Sequence, residues 1–69
     1  MKKVIKLSAY NSTTKESHAI LIGLESIIDV TPLTYKDGTI GSKIKSRGAM
    51  VETNWVKETV EEIYDLINN

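Results

Sequence analysis

Residues 59–68, Thr-Val-Glu-Glu-Ile-Tyr-Asp-Leu-Ile-Asn, constrain this chain more than any other stretch, because their spacing fits only one kind of structure. Thr59 and Glu62 stand in the Thr-x-x-Glu relation of a capping box: the hydroxyl accepts from a first-turn amide, and the carboxylate accepts from the amide of the cap itself. Val60, Ile63, Leu66 and Ile67 follow at helical intervals on one side. Glu61, Glu62 and Asp65 crowd the first turns, where negative charge suits the positive end of the helix dipole. A helix of about three turns is marginal alone in water. The preceding residues must therefore supply an apolar sheet on which its stripe can lie.

They alternate as strands do. In residues 3–9, Ile5, Leu7 and Ala9 oppose Val4, Lys6 and Ser8, the period of a half-buried strand. Asn11-Ser12-Thr13-Thr14-Lys15-Glu16 is a run of turn formers, and residues 17–22 return as a second strand to close a hairpin. Gly23-Leu24-Glu25-Ser26 predicts a tight corner or one helical turn that tucks Leu24 inward. A third strand begins at Ile27 and is expected to stop near Pro32, since proline lacks the amide a central ladder needs and belongs at an edge, a bulge or a strand end. Asp37-Gly38 signals a hairpin turn. Residues 39–46 alternate again, with Ile40, Ser42 and Ile44 against Gly41, Lys43 and Lys45, and Arg47-Gly48 marks the next turn. Residues 49–55 form the last strand, with Val51, Thr53 and Trp55 opposite Met50, Glu52 and Asn54. The expected fold is α+β: a small, mainly antiparallel sheet of four to five strands built from hairpins, with one C-terminal amphipathic helix packed on one face.

Sixty-nine residues fit a single domain, residues 1–69, which at this size buries only about 60% of its unfolded surface. With no cysteine and one histidine, neither a disulfide nor a Cys/His zinc site can add stability, and oligomerisation is the remaining staple. The opening Met1-Lys2-Lys3-Val4-Ile5-Lys6-Leu7 is basic, but Lys6 and Tyr10-Asn11-Ser12 interrupt it before an apolar core of signal-peptide length. The apolar run at residues 19–24 is far shorter than the roughly 20 residues a bilayer needs. A cytoplasmic location without membrane insertion is expected.

Net charge is zero but unevenly spread: residues 1–48 carry eight Lys/Arg against four Asp/Glu, and residues 49–69 one against five. Lys43, Lys45 and Arg47 lie two apart and project from one face of a strand, with Tyr35 and Lys36 nearby. This row is the candidate contact for an anionic partner. Its plainer explanation is a guard against strand-edge pairing, and the acidic helix counts against nucleic acid. Catalysis is not indicated. His18 has no Ser, Cys or carboxylate at catalytic spacing, Asp37 reads as a turn residue, and Gly38, Gly41 and Gly48 lack the Gly-Lys-Ser/Thr of a phosphate loop. No catalytic, cofactor-binding or metal-ligating residue is expected, and no cofactor. Trp55 is expected in the core against the helix, with a place in an interface as the second choice. Apolar residues lie on both sides of the second and third strands, more than one helix can cover. Val4, Ile20, Ile22, Ile27 and Trp55 are therefore candidate interface residues of a homo-oligomer.

The order of these elements resembles the small bacterial flagellar-operon proteins of the FlbD/SwrD family. The resemblance runs through Ile5-Lys6-Leu7, Ile20-Leu21-Ile22-Gly23-Leu24-Glu25-Ser26-Ile27, Ser42-Lys43-Ile44-Lys45 and Val56-Lys57-Glu58-Thr59-Val60-Glu61-Glu62-Ile63, nearly the whole chain. It implies a small cytoplasmic accessory protein without enzymatic activity, related to motility. The leading expectation is a protein-interaction module that associates with itself and with another protein. The alternative is a nucleic-acid-binding accessory protein of a phage or mobile element, working through Lys43, Lys45 and Arg47.

Overall fold

The computed structural model describes residues 4–68. It contains β1 (Val4–Asn11), β2 (Glu16–Gly23), a 3-10 turn at Leu24–Ser26, β3 (Ile27–Thr34), β4 (Ile40–Arg47), β5 (Val51–Val56) and α1 (Val60–Asn68). The strands form one antiparallel sheet in the order β2-β1-β5-β4-β3, with α1 on one face, the expected α+β architecture. The expected start of the first strand, at Lys3, lies outside the described residues. Among them no helix is long and apolar enough to cross a membrane.

Strand parity determines the core. Ile5 and Leu7 pair with Ile22 and Ile20, and Ile44 lies beside Val30 on one side and Asn54 on the other, two pairs along from Ser42 and Val56 and so on the same face. Ile5, Leu7, Ile22, Ile44, Val56 and Ile63 thus meet beneath the helix, and Ile20, Leu24, Ile27, Val30 and Leu66 pack around them. Leu24 reaches this cluster from the single 3-10 turn, as its place after Gly23 predicts.

Two strand expectations are corrected. β3 does not stop near Pro32 but runs on to Thr34, with Pro32 opposite Ser42. Pro32 is tolerated there because β3 is an edge of the sheet among the described residues, one of the places expected for it. A bulge between Ile27 and Asp29 shifts its register. β4, in turn, is an inner strand between β5 and β3, so Lys43, Lys45 and Arg47 are not an edge guard.

The hairpin β1-β2 meets the three-stranded half along a short seam, where Ala9 faces Val56. The segment after β5 completes it. Lys57 N–H donates to the Ser8 carbonyl (2.9 Å), Ser8 N–H donates to Glu58 Oε1 (2.8 Å), and the buried Ser42 hydroxyl donates to the Glu58 carbonyl (2.7 Å). The Tyr35 hydroxyl donates to the Val56 carbonyl (2.8 Å). Three residues thereby join both halves of the sheet immediately before the helix begins.

The helix start is as its spacing predicts: Glu62 N–H donates to Thr59 Oγ1 (3.2 Å), and Thr59 N–H donates to Glu62 Oε1 (3.0 Å). Thr59→Ala is expected to cost about 1 kcal/mol and to lower the melting midpoint by roughly 4–8 °C. Circular-dichroism melts read this directly, and an unchanged midpoint would place the effective helix start elsewhere.

Candidate functional site

The helix covers one face and leaves the opposite face of the sheet open, with Arg47 exposed there and Lys43 and Lys45 half-buried. On β4, Lys43, Lys45 and Arg47 alternate with the core residues Ser42 and Ile44 and therefore point away from the helix. Their partners on β5 are Trp55, Thr53 and Val51, which share that face. On β3, Leu33, Thr31 and Asp29 lie opposite Gly41, Lys43 and Lys45. The cationic row is thus flanked on one side by Trp55, across from Lys43, and on the other by Thr31 and Asp29, with Leu33 beyond the row's end opposite Gly41; Asp29 is the one acid among the described strand positions of this face.

Trp55 is 49% exposed, which corrects its expected burial against the helix. Val56 takes that place instead, because it faces Ser42 and Ala9 on the core side and its neighbour must then face outward. The candidate interface set divides in the same way. Ile22, 7% exposed, belongs to the core, and Ile20 and Ile27 pack against it, because they share the face of Ile5, Leu7 and Ser46. Val4, 51% exposed, and Trp55 remain on the helix-free face. Leu21, 70% exposed and paired with Lys6, joins them there, a residue the sequence reading did not single out.

Beside Trp55 lies an open groove of about 420 Å³, lined by Tyr10, Leu33, Tyr35, Lys36 and Trp55 among others. Its wall is a small cluster that joins the end of β1 to the β3-β4 turn. The Tyr10 and Tyr35 rings meet edge to face with centroids 5.0 Å apart, and Lys57 Nζ sits 5.5 Å from the Tyr10 centroid. The Tyr10 hydroxyl donates to Asp37 Oδ2 (2.5 Å), and Thr39 N–H donates to Asp37 Oδ1 (2.9 Å). Asp37 is the turn residue the sequence predicts, followed by Gly38 at φ 88°, but it also reaches across to β1. Sequence spacing does not reveal that contact, because Tyr10 and Asp37 are 27 residues apart.

The Tyr10 hydrogen bond, then those from Thr39, hold the Asp37 carboxyl at about 2 instead of 3.8. The same bond raises the Tyr10 phenol, and burial is the main reason that the Tyr35 phenol is raised. A carboxyl with a depressed pKa stabilises the fold above its unfolded value and loses that contribution as pH falls through its folded one. Stability attributable to Asp37 should therefore disappear between pH 3.8 and about 2. Thermal midpoints measured through that window should fall less steeply for Asp37→Asn than for the parent, and parallel curves would contradict the Tyr10 contact.

His18 is exposed on β2, and among the described residues no cluster of three or more His, Cys, Asp or Glu is placed to hold a metal ion. The arrangement offers cations, an edge-to-face tyrosine pair, an exposed tryptophan and an open groove of mixed lining, a set suited to recognition. Compared with protein-family models, with curated proteins and with solved structures, the chain gives no significant match.

Proposed function

We propose that this chain is a non-catalytic, cytoplasmic interaction module that pairs with a second copy of itself through β2 and offers its helix-free face to an anionic partner. The observation that carries the pairing is the contrast between the two edges of the sheet. β3 is defended by Pro32 and a bulge. β2 is a regular strand whose eight residues pair with β1 without a register shift, and residues 17–23 carry neither proline nor a carboxylate, lysine or arginine. A long, unguarded edge invites another strand. A two-fold axis normal to the sheet would join the β2 strands of two copies and keep both helix-free faces on the same side. The flagellar-operon resemblance supplies a setting for such a module, as an accessory of the motility apparatus.

Sedimentation equilibrium at micromolar concentration should give at least twice the monomer mass of 7.7 kDa. Leu21→Lys, which puts a charge at an already exposed edge position, should return the protein to a monomer without unfolding it. A parent that remains monomeric across that range would overturn the pairing.

A further inference from the structure

We propose that the helix-free face binds single-stranded nucleic acid, with a base stacked on Trp55 and phosphates following Lys43, Lys45 and Arg47. This deepens the preceding reading, on which it rests, by naming the class of anionic partner. The strongest plain explanation for the cationic row, protection of an edge, fails because β4 has β5 on one side and β3 on the other. The strongest objection from charge also weakens. The exposed acids Glu61, Glu62 and Asp65 belong to the helix, which packs on the opposite face through Ile63. On the helix-free face, Asp29 faces Lys45, and the Asp37 carboxylate in the neighbouring turn already accepts from Tyr10 and Thr39.

The geometry favours a single strand over both a duplex and an acidic protein. Lys43 lies directly across from Trp55 in the ladder, so a cation and an exposed ring stand side by side. Side chains two apart on a strand are roughly 7 Å from one another, comparable to successive phosphates on an extended single strand. Stacking on aromatic side chains suits any base whose face is free, and in a duplex those faces are already stacked. The groove beside Trp55, with Tyr10, Tyr35 and Leu33 in its wall, leaves room for the neighbouring base.

Trp55 is the single tryptophan, so its emission reports the contact directly. Titration with a short oligothymidylate should quench it. Three phosphate contacts predict roughly 20-fold weaker binding between about 50 and about 200 mM salt. Exchanging Lys43, Lys45 and Arg47 together for glutamine should weaken binding at least about tenfold while leaving the melting midpoint close to that of the parent. Trp55→Ala, followed by anisotropy of a labelled oligonucleotide, should weaken it by about tenfold. Unchanged emission and anisotropy at low salt would overturn the inference. So would equal binding to polyglutamate, which would identify an acidic protein surface as the partner, or equal binding to a duplex without quenching. Sedimentation of the same samples separates the two readings: a dimer that ignores the oligonucleotide leaves the module standing without nucleic acid, whereas a monomer that binds it removes only the β2 pairing.

Discussion

Replacing Gly41 by alanine should destabilise the fold by about 3 kcal/mol, near the upper end of ordinary overpacking, and lower the melting midpoint by more than about 10 °C. A Cβ at this position would lie 2.2 Å from the Val56 carbonyl oxygen, 2.9 Å from Tyr35 Cε2 and 3.3 Å from Lys57 Cα. Two of those three atoms are backbone, and they belong to the stretch that binds the halves of the sheet together. Val56 O already accepts from Tyr35, and Lys57 N–H is committed to Ser8. Relief would require the end of β5, at Val56 and Lys57, to move away from β4. Denaturant titration would give the loss, and Gly38→Ala offers a contrast: it meets nothing within 4 Å, but its φ of 88° imposes backbone strain alone. A Gly41→Ala protein as stable as the parent would mean that the Tyr35 and Val56 contacts do not hold in solution.

Ile63→Ala should be comparably severe, at about 2–5 kcal/mol, because it empties a site only 1% exposed. Ile63 is the one fully buried residue of the helix, and Leu66 is the partly buried helix residue packed beside the core. Small domains have on the order of 5–15 kcal/mol in all, so this single truncation removes a large share. Ile63→Val should cost only about 1 kcal/mol, as the side chain keeps most of its contacts. Calorimetry on the three proteins would test the series. Equal stability of the alanine and parent proteins would show that the helix is held by its cap and by the seam at Glu58 without help from the core.

The correct and incorrect expectations for these residues have a common cause. Thr59, Glu62 and Ile63 act within one helix, so their spacing alone specifies what they do, and the cap and the buried position both follow from it. Ile5 and Leu7 are similar, since two-residue alternation marks one face of a strand. Alternation cannot say which face the helix will cover. For residues 49–55 it grouped Trp55 with Val51 and Thr53 correctly, yet the choice between core and solvent belonged to the next residue, Val56.

The chain's own order of residues determined its elements: five runs of strand character, the single turn that tucks in Leu24, the Asp37-Gly38 corner and the capped helix. Each depends on neighbours a few positions away, where backbone geometry and side-chain period act directly. Strand order was decided only in three dimensions, because pairing β1 with β5 links Ala9 to Val56 across most of the chain. That one pairing makes β1 and β5 inner strands and leaves β2 and β3 as the edges, while β4 is inner through its own pairings with β3 and β5. It also brings Tyr10 to the turn at Asp37. The candidate surface is therefore a tertiary product: its residues were visible in the sequence, but their assembly on one uncovered face, away from the acidic helix, depends on contacts that no local pattern encodes.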